Sequence, residues 1–144
     1  MLQIIKTRSV RTPEYGTDGS AGIDFFVPDD FAPRMIDRHE AVNIPSGIKA
    51  RFPDGKVLIA FNKSGVSTKK RLQIGACVVD SDYDGEIHLH VFNTGFTPIR
   101  IAPGDKIAQF ILLDYNRAII DEVEEFTPRK TQRGEGAFGS TDLY

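Results

Sequence analysis

Much is missing from this sequence, and each gap removes a class of function. Cys77 is the single cysteine, so no disulfide forms within the chain and a reducing, cytosolic compartment is expected. Cys77 itself is expected as a small, buried, apolar residue in a strand. The apolar runs are short, Val57–Phe61 and Phe110–Leu113 among them, whereas a membrane-spanning helix needs about 20 residues. The N-terminal MLQIIKTRSV has no long apolar stretch of the kind a signal peptide carries, so the expected location is cytoplasmic. Basic excess is absent too. Charged residues make up 26% of the chain and the formal net charge is −2, which points away from nucleic acid and from a disordered acidic tail alike. No long amphipathic helix is discernible.

What is present is a run of short strands broken by glycine, proline and aspartate. The 144 residues suit one domain with a real core. Strands are expected at Leu2–Lys6, Ile23–Val27, Ala41–Ile44, Gly47–Phe52, Lys56–Phe61, Leu72–Val79, Glu86–Asn93, Ile99–Ala102, Lys106–Asp114 and Ile119–Phe126. Turn signals separate them, including Pro53-Asp54-Gly55, Asp84-Gly85 and Pro103-Gly104-Asp105. One short helix is expected over Ser64–Lys70. This pattern predicts an all-β fold, a distorted antiparallel β-barrel or jelly roll. Residues 1–127 form the barrel domain in this reading, and 128–144 a flexible glycine-rich arm.

The stretch VVDSDYDGE (78–86) sets Asp80, Asp82, Asp84 and Glu86 at every second position. On a continuous strand these carboxylates would share one face and repel. The strand after them alternates, with Ile87, Leu89 and Val91 on one face and Glu86, His88 and His90 on the other. Leu72–Val79 and Glu86–Asn93 therefore read as a hairpin with Ser81–Gly85 at its corner, where the acidic side chains splay apart. A turn alone accounts for Asp84-Gly85. It does not account for Asp80, which follows an apolar run and is expected to be partly desolvated.

Two other segments carry chemistry. NKSGVSTKK (62–70) sets Lys63, Ser64 and Gly65 beside a helix start, an arrangement that holds anions. The tail RGEGAFGST (133–141) is a glycine-rich arm with Arg133 and one aromatic, Phe138, able to wrap a phosphate chain.

Five segments in order, AGIDFF, NKSGVS, ACVVDSDYDGEI, GDKIAQF and RGEGAFGST, resemble the motifs of the trimeric deoxyuridine triphosphatase family. The resemblance spans Ala21 to Thr141. It implies a β-clip barrel that hydrolyses dUTP to dUMP and pyrophosphate with Mg2+, by water attack on the α-phosphate, limiting uracil in DNA and supplying dUMP for dTMP synthesis. By the same resemblance Asp80 orients and deprotonates the water. A carboxylate is a weak base at neutral pH, so it contributes about 10²- to 10⁴-fold, with positioning and charge neutralisation supplying more.

Tyr83 matches the ring that packs under the deoxyribose and leaves no room for a 2′-hydroxyl. The backbone of Cys77, Val78 and Val79 would read uracil through main-chain donors and acceptors, and cytosine would leave buried groups unpaired. Lys63, Ser64, Gly65, the amide of Gln109 and Arg133 match the phosphate ligands. Phe138 would stack on the base, with Gly139 and Ser140 beside it as the arm closes. Asp24 matches the first-motif aspartate, which either holds a metal-bound water or orients neighbouring side chains. His88 is expected to pass near the substrate. The resemblance further implies a homotrimer with sites at subunit interfaces, and neither nucleic acid nor membrane as partner. Two departures from the family pattern are Lys63 in place of arginine, which keeps charge but loses the planar fork, and Ala137 in place of glycine, which narrows the arm's backbone freedom.

Other readings are weaker. His88 and His90 lack a third ligand nearby and read as exposed strand residues. Glu122, Glu124 and Glu125 read as a solvated face. A dCTP deaminase of the same fold would need a glutamate where His90 stands. A non-catalytic dUTP sensor would not need Asp80.

Overall fold

The computed structural model describes residues 1–131 and residue 134. Its strands in chain order are β1 (Gln3–Lys6), β2 (Glu14–Tyr15), β3 (Ile23–Phe25), β4 (Arg34–Ile36), β5 (Ala41–Pro45), β6 (Ile48–Arg51) and β7 (Lys56–Asn62). The helix α1 (Ser64–Lys70) follows, then β8 (Leu72–Gly75), β9 (Val78–Val79), β10 (His88–Asn93), β11 (Ile99–Ile101) and β12 (Ala108–Asp114). All pairings are antiparallel.

The longest ladder joins β7 to β12, from Lys56 opposite Asp114 to Asn62 opposite Ala108. Both strands place small and branched apolar residues inward, burying Leu58, Ala60, Ala108 and Phe110. Phe25 of β3 completes the layer, its ring 4.3 Å from that of Phe110. These strands belong to a five-stranded sheet ordered β2-β3-β12-β7-β9. A three-stranded sheet, β5-β10-β8, covers the core from the other side. Its inward residues include Val42, Ile44, Leu72, Leu89 and Val91. Each such side chain gains about 1.5–3 kcal/mol from leaving water, which is why the alternation of β10 follows the pattern read from the sequence. Asn93 ends that strand fully buried, donating to the carbonyls of Ile36 and Thr97 and accepting from the Gly95 amide.

Three expectations are corrected. Leu72–Val79 is not one strand: Ala76 adopts a left-handed conformation with φ 51°. β8 pairs with β10, whereas β9 crosses to pair with β7. The hairpin partner of β10 is thus β8 alone, and Cys77 lies half-buried between two strands rather than in one. Ile119–Phe126 forms no strand. It follows β12 with Ile119, Ile120 and Phe126 at least 90% exposed, because a strand needs a neighbour to pair with and none lies beside it. Finally, β2 and β4 were not expected, each being only two or three residues long and directly preceded by a proline.

Candidate active site

The switch at Ala76 and the turn after β9 create the first half of the site. A cleft of about 230 Å³ is lined by Asn43, Ala76, Val78, Val79, Asp80, Tyr83, Ile87 and His88. β9 is the outermost strand of its sheet. One edge is committed to β7, leaving the other edge with unpaired amides and carbonyls of the kind an extended ligand engages. Val78 presents an apolar side chain that is 62% exposed. Beyond Val79 the chain turns, with the Tyr83 amide donating to the Asp80 carbonyl at 3.2 Å. The turn carries the Asp80 side chain outward, so it is exposed rather than partly desolvated as expected. The splayed carboxylates go separate ways. Asp84 meets Arg51 at 3.1 Å on the surface, Glu86 meets Arg8 at 2.9 Å, and Asp80 and Asp82 make no ion pair among the described residues.

A second cleft of about 340 Å³ is lined by Lys63, Ser64, Gly65, Val66, Lys69, Lys70 and Gln109. It brings together α1 and the start of β12. Gln109 donates from Nε2 to the Asn62 carbonyl at 2.9 Å and lies directly on Gly22, where a Cβ would overlap its amide. Beneath them Asp24 is buried, 4% exposed. Lys63 Nζ binds one of its oxygens, and Lys106 Nζ stands 3.2 Å from the other. A buried carboxylate without partners costs several kcal/mol. Two ammonium groups offset that here, and Lys106 also sits over the Phe26 ring at 5.8 Å. Lys63, Lys69 and Lys70 line this cleft and no acidic residue among the described ones does, which suits a polyphosphate.

The two clefts share no lining residue. One protomer gathers Lys63, Ser64, Gly65 and Gln109 in one place and Val78, Val79, Asp80, Tyr83 and His88 in another. Arg133, Phe138, Gly139 and Ser140, like Ala137, lie outside the described residues. His88 is exposed, its Nδ1 3.0 Å from the Glu86 carbonyl. His90 is not an exposed residue as expected: it is half-buried against Gly75, with Nδ1 unpartnered. Lys106, Lys69 and Lys70 were missed as candidates, although each lies inside a segment singled out in the sequence.

Among the described residues no three His, Cys, Asp or Glu side chains converge to cage a metal. No helix of the described residues is long and apolar enough to cross a membrane.

Comparison with known proteins gives a consistent result. A family model described as dUTPase matches residues 8–142. A deoxyuridine 5′-triphosphate nucleotidohydrolase of Dictyoglomus turgidum is 35% identical over 91% of this chain and 90% of its own length. A protein of the same name from Legionella pneumophila is 34% identical over 99% and 96%. Among solved structures, the dUTPase of Staphylococcus bacteriophage 80alpha with dUpNHpp superposes with a TM-score of 0.87 at 24% identity, covering 99% of both chains. At that identity the likeness speaks for the fold.

Proposed function

The chain belongs to the dUTPase family, and from that premise we propose a division of labour for its hydrolysis of dUTP to dUMP and pyrophosphate. The observation that carries the reading is the first cleft, where Asp80, Tyr83 and the free edge of β9 line one 230 Å³ space. Uracil lies along the backbone of Cys77, Val78 and Val79. Its donor and acceptor pattern pairs with main-chain groups, which cytosine would leave unsatisfied. Tyr83 faces the deoxyribose and His88 borders it. Asp80 is the catalytic residue: it holds a water against the α-phosphate and takes its proton. Exposure of this carboxylate supports that role, since an ion pair would have to break before it accepted a proton.

The phosphates occupy the second cleft, against Lys63, Ser64, Gly65 and the Gln109 amide; the family motif adds Arg133 to the phosphate ligands and gives Phe138, with Gly139 and Ser140, the role of stacking on the uracil. Asp24 is the carboxylate that would stand near a bound magnesium, which would supply charge neutralisation to the phosphates. Asp24 otherwise orients Lys63. In this reading the two clefts that form one complete site come from different subunits of a homotrimer.

The test measures pyrophosphate release from dUTP, dCTP, dTTP and UTP with Mg2+. Wild type is expected to act on dUTP alone, and Asp80→Asn to lose about 10²- to 10⁴-fold in kcat. Wild type that binds dUTP and releases nothing would instead make the protein a sensor.

A further inference from the structure

Glu86 closes the acidic run of the hairpin, yet the roles above leave it unused. Its surroundings are the most fully satisfied of the four carboxylates. Oε1 accepts from Arg8 Nε at 2.9 Å and from the Gly47 amide at 2.6 Å, while Oε2 accepts from Arg8 Nη2 at 3.1 Å. The fork is bidentate, the geometry that fixes a carboxylate in orientation as well as in place. Arg8 is itself anchored, its Nη1 donating to Asp30 at 3.0 Å. Gly47 permits the close packing: its φ is +75°, and a Cβ there would stand 2.6 Å from Arg8 Cγ.

The backbone of Glu86 holds the other side of the arrangement. Tyr83 Oη donates to the Glu86 carbonyl at 2.9 Å, and the Tyr83 ring lies over Gly85 so closely that any Cβ there would overlap it. The ring's pose is therefore set by where Gly85 and Glu86 sit. Those two residues precede β10, whose ladder begins at His88. Ile87 is tied by its own bonds to Ile48 and Ser46. On the loop side of that point the side chain of Glu86, gripped from a residue 78 positions away, anchors the end of the loop together with the exposed Arg51–Asp84 pair.

We propose that Arg8 and Glu86 form a positioning pair that sets the pose of Tyr83, and through it the discrimination between deoxyribose and ribose. This rests on the reading of Tyr83 as the sugar-facing ring. Neither residue touches substrate. Loss of the fork loosens Gly85 and the Glu86 amide on the loop side of the Ile87 anchor, lets the ring swing off Gly85, and opens room for a 2′-hydroxyl.

Steady-state kinetics of the full chain with dUTP and with UTP test this in wild type, Arg8→Ala, Arg8→Lys and Glu86→Gln, each first checked by thermal melting. Arg8→Ala is expected to narrow the dUTP:UTP ratio of kcat/KM about tenfold, a cost typical of a misplaced group, with KM for dUTP moving more than kcat. Arg8→Lys, which keeps the charge without the fork, restores part of the ratio, and Glu86→Gln falls between. A folded Arg8→Ala protein with the wild-type ratio overturns the proposal and leaves the pair as a structural brace. Should Arg8→Ala fail to fold, Glu86→Gln decides by the same criterion. If wild type releases no pyrophosphate from dUTP, the hydrolase reading fails separately, and the ratio of dUTP to UTP affinity is read by calorimetry on the same proteins. A narrowed affinity ratio then sustains the pair, and an unchanged one, or no binding to either nucleotide, overturns it.

Discussion

At the scale of single residues, the site depends on glycines that no functional role announces. Gly22 has an ordinary backbone conformation, so alanine is not strained there. Its Cβ, however, would meet Gln109, which has to give up its hydrogen bond to the Asn62 carbonyl to move aside. Gly22→Ala is expected to push Gln109 out of the phosphate cleft. The stability cost is about 1 kcal/mol, that of one hydrogen bond, while KM for dUTP rises about tenfold. Thermal melting and initial-rate kinetics on the same preparation separate these, and a large fall in melting temperature with unchanged KM would contradict the account. Asp24 makes the complementary point. It shares its charge between Lys63 and Lys106, so Lys63 is able to turn toward a phosphate while Lys106 keeps the buried carboxylate neutralised. Lys106 lies within the motif GDKIAQF, but its partner Asp24 is 82 positions away in a different segment. Only the pairing of β3 with β12 brings the two together.

At the scale of elements, the sequence is legible where a residue's neighbours in the chain decide its fate. The helix over Ser64–Lys70 and the alternation of β10 were read correctly because local spacing determines both. The break at Ala76 was not, since alanine carries no mark of the left-handed conformation it adopts. That residue divides one apolar run between two sheets and leaves β9 with the open edge to which base recognition is assigned in the proposed function. The exit of the hairpin has a similar long-range determinant in Glu86, whose charge yields a pH prediction. The Arg8 hydrogen bond holds this carboxyl below the usual carboxylate range, with the Gly47 amide adding to it against the opposing effect of burial. A depressed folded pKa stabilises the fold above the unfolded value of about 4.3, and that contribution is lost as pH falls through the folded value. Arg8, raised by the same bond, stays charged throughout. The melting temperature of wild type should exceed that of Glu86→Gln by a constant margin from neutral pH down to about 5. Below that the margin should close. A margin that persists at the lowest pH would mean that the hydrogen-bond geometry, rather than the charge, supplies the stability.

For the whole molecule, the described chain looks like a part made to be completed. After Asp114 only Tyr115 is tied back to the barrel, through the Gly55 carbonyl, and the following segment carries Ile119, Ile120 and Phe126 almost fully in water. The opposite need exists at β1, which among the described residues pairs with β6 alone, with Ile5 67% exposed beside it. The failed expectation of a strand at Ile119–Phe126 is informative in this light: the sequence has a strand's composition, and what one protomer lacks is the partner edge. Open strand edges and exposed branched residues are costly to leave unpaired, and two half-sites on one chain are useless apart. The homotrimer proposed above would answer both. Light scattering on the wild type should return three times the mass of one chain. The double substitution Ile119→Asp with Ile120→Asp, which places charge where the contact would be apolar, should shift that mass toward one chain with the circular dichroism of the barrel retained. Activity on dUTP should fall with the mass, about 10²-fold or more, because the Asp80 cleft and the lysine cleft no longer meet. A single-chain mass for fully active wild type would instead require both clefts of one protomer to serve the same nucleotide.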